Sequence, residues 1–219
     1  MVRNSRRQLI NTKWYVIVSS DQIKPARGRP KTLDRAHALD AAIQSYWAEG
    51  VDGVSLNEIC RRASVSKPAL YREFKSEDGL MKAALVRYSD RALAPMHQAL
   101  SADIPFTDAL DELIAFATAD HTKVGNPVGC MFVDMCGGRA KIGEATRDQL
   151  DNLKSELLGV YEGWVDRAKG KGEFPSTIST QFAAVYIEAQ LSNAMSQQSR
   201  GENNETIREV LEMAFSVFE

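Results

Sequence analysis

The chain has 219 residues, 44% of them hydrophobic and 26% charged, which excludes a disordered or low-complexity protein. Its net charge of −2 conceals a net +7 over residues 1–75 and a net −9 over residues 76–219, so a polyanionic partner is expected to meet only the front of the chain. Three cysteines exclude a disulfide framework, and the longest early apolar run, Trp14 to Val18, is too short for a bilayer span; a cytoplasmic protein without membrane attachment is expected.

Residues 1–31 read as a basic arm without helical periodicity, ending in Pro25-Ala26-Arg27-Gly28-Arg29-Pro30-Lys31. A first helix is expected from Thr32, a suitable N-cap. It carries Leu39, Ala42, Ile43, Tyr46 and Trp47 on one stripe and stops at Gly50 and Gly53. Ser55-Leu56-Asn57-Glu58 reads as a capping box, in which hydroxyl and carboxylate each satisfy an orphan backbone N–H. The second helix then runs to Ala63, and Ser64-Val65-Ser66 forms a tight turn. Ser66 is placed to cap a third helix whose first turn holds Lys67 and Pro68, where proline costs nothing. Leu70 and Phe74, four apart, point into a core.

A fourth helix is expected after Ser76, with Glu77 and Asp78 favouring its own dipole, and Pro95 kinks or ends it. Helices follow over 106–122, from Val128 to about Cys136, from about Glu144 to Lys169, over 176–199, and over about 205–218. The segment 176–199 is apolar on two faces, with Ile178, Phe182, Val185 and Ala189 on one and Ala184, Ile187, Leu191 and Ala194 on the other. No alternating strand pattern occurs after residue 32, so the fold class is all-α.

Residues 55–74 are two short helices joined by a three-residue turn, the spacing of a helix-turn-helix. In such a unit the second helix enters the DNA major groove and the first crosses the phosphate backbone. The outer side of the third helix presents Lys67, Ala69, Tyr71 and Arg72, with Glu73 at the rim. Arg72 is suited to guanine O6 and N7, the Ala69 methyl to a thymine methyl, and Lys67 to a base edge or a phosphate. Tyr71 and Lys75 are suited to phosphate oxygens.

The run from Ser55 to Leu80 resembles the helix-turn-helix of the tetracycline-repressor (TetR) family of bacterial regulators. It has the hydroxyl-capped helix, the Ala63-Ser64-Val65-Ser66 turn, the Leu70-Tyr71-Arg72-Glu73-Phe74 recognition helix, and Ser76 with Leu80 four residues on. The strong match covers about residues 33–90, and Gly129-Cys130-Met131-Phe132-Val133 looks like a segment often seen in the family's second domain. The resemblance implies a helix-turn-helix DNA-binding domain over 32–78 and a helical effector-binding and dimerisation domain over 79–219. It adds Ser55, Ser66 and Pro68 to the DNA-contacting set. Two positions depart from the pattern. The turn's usual glycine is Ser64, and a lysine usual near the start of the fourth helix is Glu77. Arg27 and Arg29, in Arg27-Gly28-Arg29-Pro30, resemble an AT-hook core suited to a narrow minor groove.

The resemblance further implies a homodimer through the last two helices, double-stranded operator DNA as partner, and a small-molecule effector. Candidate effector contacts are Phe116, His121, Cys130, Met131, Tyr161, Trp164, Phe182 and Tyr186. No cofactor or metal site is expected. Repression is the default mode, with the effector moving the two DNA heads off one-turn spacing. Cys130 and Cys136, six residues apart, face different sides of a helix and are poorly placed for a shared metal or disulfide. Two other readings stay open: a helical protein-interaction module without DNA binding, and a cysteine hydrolase using Cys130 with His121. No hydrolase, metalloprotease, phosphate-loop or dinucleotide motif supports an enzyme.

Overall fold

The computed structural model describes residues 33–218, and its described residues form helices and no strands. Ten α-helices follow in order among them: α1 (Arg35–Glu49), α2 (Leu56–Arg62), α3 (Lys67–Phe74), α4 (Glu77–Tyr88), α5 (Ala94–Leu100), α6 (Phe106–Ala117), α7 (Met131–Gly137), α8 (Glu144–Gly170), α9 (Thr180–Ser199) and α10 (Asn204–Phe215). The arm, with Arg27 and Arg29, lies outside the described residues, as does Thr32. The N-cap of α1 is Asp34, whose carboxylate accepts from the His37 N–H.

Helices α1 to α4 pack on one another around Leu39, Ile43, Ile59, Leu70 and Leu80. The expected stripe of α1 is buried from Ala38 to Trp47. Leu70 and Phe74 are buried, so the inner side of α3 is fixed and its outer side is left to solvent. Ser55 caps α2 as expected, accepting from the Glu58 N–H at 3.2 Å. The reciprocal half of the capping box does not form. Glu58 instead accepts from Arg61 at 2.6 and 2.8 Å and from Arg62 at 2.8 Å, because charge-assisted bonds outcompete a neutral N–H. Ser66 sits at the N-cap of α3, but its hydroxyl makes no capping bond.

Ser64 adopts φ 54°, the left-handed region where glycine is usual, so the departure at this position is accommodated with strain. The expected break at Pro95 takes a particular form. The backbone widens to a π-helical turn over Ser89–Leu93 and continues as α5, with proline in the first turn. Proline lacks the N–H that would bond the carbonyl four residues back, and a widened turn relieves the ring clash there.

The long α8 packs on α4 and α9, and α9 packs on α10. Its N-cap is Gly143, which has no side chain to offer. Asp78, in the first turn of α4, does that work from outside. Its carboxylate accepts from Ala145 N–H at 2.9 Å, from Thr146 N–H at 3.1 Å and from the buried Thr146 hydroxyl. A Cβ on Gly143 would lie 2.2 Å from Asp78 Cγ, so only glycine admits the carboxylate. A second clamp joins α1 to α4 and the following turn, where Asp40 holds Arg87 at 2.7 Å and Arg91 at 2.8 Å.

Candidate nucleic-acid interface

The outer side of α3 presents Lys67, Pro68, Tyr71, Arg72 and Glu73 to solvent, with Ala69 half-buried. Ser55, Ser66 and Lys75 are exposed as well. The Lys67 ammonium lies 5.8 Å from the Tyr71 ring centre, and Tyr71 donates its hydroxyl to the Glu77 carboxylate at 3.2 Å. The Lys75 ammonium donates to the Arg72 carbonyl at 3.0 Å, capping the end of α3. Arg35 crosses from α1 to Glu73 at 3.1 Å and covers the Phe74 ring, which holds the rim of the face in place.

Charge on this surface is more balanced than the sequence asymmetry implies. The +7 surplus lies in residues 1–31, with eight Lys+Arg against one Asp, whereas residues 33–75 carry six of each sign. The arginines of α2 are largely spoken for: Arg62 bonds Glu49 and Glu58, and Arg61 bonds Glu58. Those guanidiniums, Arg61 foremost, hold the Glu58 carboxyl down at about 2.

Behind α4 the body has a partly open, mostly apolar cavity of about 50 Å³. Four of the expected effector contacts line it: Phe116, His121, Cys130 and Tyr161. The other four do not. Met131 is fully buried away from it, and Trp164 stacks on Phe106 with ring centres 4.5 Å apart. Phe182 is 63% exposed on the outer face of α9, and Tyr186 donates its hydroxyl to the Ala214 carbonyl of α10. Helical spacing groups residues by face but does not say which face looks inward, and these four lie on faces turned elsewhere. The sequence reading missed Trp47 of α1, Tyr88 of α4 and Glu188 of α9, which come to the cavity from helices far apart in the chain.

Tyr88 donates its hydroxyl to Cys130 Sγ at 3.2 Å. Burial pushes the Cys130 thiol up, and burial pushes Cys136 up to about 11. Both therefore stay protonated near neutral pH, the unreactive form of cysteine. Burial pushes His121 down, which keeps its imidazole neutral. Among the described residues no group of three or more His, Cys, Asp or Glu is placed to hold a metal ion, and no helix is long and apolar enough to cross a membrane.

The two faces of α9 differ in burial, although Ile178, expected on the outer face, lies before the helix and packs partly buried against the core. Ala184, Ile187, Leu191 and Ala194 are buried, while Phe182 and Val185 are exposed. On α10 and the short turn after it, Val210, Met213 and Val217 are also exposed. The spacing i, i+3, i+7 makes this an apolar stripe.

Comparison with known proteins agrees with this layout. Residues 38–84 match the family model described as bacterial regulatory proteins, tetR family. The HTH-type transcriptional repressor ComR of Escherichia coli (strain K12) is 28% identical over 174 residues, covering 77% of this chain and 81% of that protein. A cysteine mutant of the TetR family transcriptional regulator CifR, solved with 26-bp double-strand operator DNA, superposes with a TM-score of 0.72 at 24% identity, covering 88% of this chain and all of that one. The regulatory protein TetR from Rhodobacter sphaeroides superposes with a TM-score of 0.77 at 15% identity, covering 86% of this chain and all of that one.

Proposed function

We propose that this chain is a dimeric repressor of the TetR family of bacterial regulatory proteins, which binds operator DNA through α3 and is released by a small-molecule effector. The observation that carries the reading is the two-sided character of α3. Leu70 and Phe74 anchor it, and Lys67, Tyr71 and Arg72 are exposed along its outer edge. An edge of that kind fits the major groove, where an arginine reads guanine and a tyrosine hydroxyl meets a phosphate. On this reading residues 32–78 form the DNA reader and residues 79–219 the sensing and pairing body, and the protein works in the cytoplasm, where its target DNA lies.

One short helix makes few base contacts, so useful affinity calls for two half-sites. The exposed stripe of Phe182, Val185, Val210, Met213 and Val217 supplies an apolar surface for a second copy. Two copies would place their α3 helices about one DNA turn apart, roughly 34 Å. The cavity supports the effector part of the proposal. Tyr88 lines it at one end of α4, and the other end of α4 follows α3 almost directly. Twelve residues of helix form a rod of about 18 Å between the two. A ligand that displaces Tyr88 tilts this rod and shifts the spacing of the paired readers.

Selection of bound duplexes from a random pool tests the proposal. A palindrome with half-sites about one turn apart, bound less tightly as salt rises, supports it. Failure to retain any duplex in dilute buffer would overturn it.

A further inference from the structure

We propose that the cavity behind α4 takes a small organic cation, an ammonium head bearing methyl or short alkyl groups. This deepens the effector reading above and rests on it. The walls carry five aromatic rings from five different helices: Trp47, Tyr88, Phe116, Phe132 and Tyr161. Aromatic faces attract cations most strongly where water is excluded. The one carboxylate on the wall is Glu188, whose side chain is only 13% exposed.

The partners of that carboxylate are one hydroxyl and one long ion pair, which leaves room for a closer cation. No lysine or arginine lines the cavity, and burial keeps His121 neutral. Lys154 approaches Glu188 only to 3.8 Å, from a side chain 52% exposed, and Ser192 donates its hydroxyl to the same group at 2.9 Å. A half-buried carboxylate whose counter-charge is a solvated lysine 3.8 Å away gains from a cation inside the cavity and repels an anion. The volume of about 50 Å³, against about 150 Å³ for a cavity that takes benzene, restricts the occupant to a compact onium head for which the walls must give slightly.

Tetramethylammonium and tert-butanol test this directly, because each has five non-hydrogen atoms of similar bulk and only one is charged. Isothermal titration on the DNA-free protein should show the cation binding roughly tenfold more tightly. Glu188→Gln should remove that preference while leaving tert-butanol unchanged. Equal binding of the two compounds by the unaltered protein, absence of cation binding, or a preference that survives Glu188→Gln would overturn the proposal. The comparison on unaltered protein stands even if the variant does not fold. Operator release is read separately: cation preference without release supports the cation site and counts against effector coupling.

Discussion

Replacing Asp78 by alanine should loosen the protein at the joint between its DNA reader and its body. The carboxylate accepts from two backbone N–H groups and one buried hydroxyl at the start of α8, where Gly143 supplies no cap of its own. A hydrogen bond to a charged acceptor contributes about 1.5–3 kcal/mol, and loss of a helix cap costs about 0.5–2 kcal/mol. These overlap, and water can reach the half-buried Ala145 amide, so we expect a loss of about 2–3 kcal/mol. Urea unfolding at equal protein concentration should show the midpoint falling by roughly 1 M for a slope near 3 kcal/mol/M. Asp78→Asn keeps one acceptor and should lose about half as much. Gly143→Ala, which drives a Cβ into the carboxylate, should match the alanine variant. A loss below about 0.5 kcal/mol for Asp78→Ala, the range of ordinary surface changes, would refute the reasoning.

Glu77→Lys removes the acceptor of the Tyr71 hydroxyl and adds a cation beside the DNA face. It should tighten binding to all duplexes alike and steepen the salt dependence by about one counterion per half-site, measured by anisotropy titration across salt. Met213→Arg, at a position 77% exposed on the apolar stripe, should yield a folded monomer by light scattering and weaken operator binding. Acid should destabilise the fold partly through Glu58, lowered from 4.5 to about 2 by Arg61 and Arg62. A depressed carboxyl contributes stability above its unfolded value, lost as pH falls from about 4.5 towards 2, so Glu58→Gln should flatten the stability curve in that window.

The reader was legible in the sequence because its signals are local. The Ser55 cap, the tight turn and the Leu70/Phe74 spacing each involve residues within a few positions of one another. The same locality explains the strained Ser64, which follows from a turn that needs a left-handed residue. What escaped depends on partners distant in the chain. Asp78 looks like a dipole partner for its own helix, and only the packing of α4 on α8 shows it serving Ala145 and Thr146, 67 and 68 positions away. The carboxylate of Glu58 likewise fits a capping box until Arg61 and Arg62 compete for it. The cavity was half legible. Phe116, His121, Cys130 and Tyr161 lie on its wall, but Trp47, Tyr88 and Glu188 give no local sign that they meet there. For α9 the two apolar faces were visible as a pattern, and burial shows that the Ala184 and Ile187 face is the inner one.

Operator affinity of Arg72→Ala, taken across every single-base variant of one half-site, bears most directly on the role of α3. The guanidinium is exposed, so the fold should be undisturbed. A loss of about 1–3 kcal/mol that vanishes when one particular base pair is changed places this side chain in the groove. An unchanged affinity, or a loss spread evenly over all positions, would mean that α3 does not read DNA.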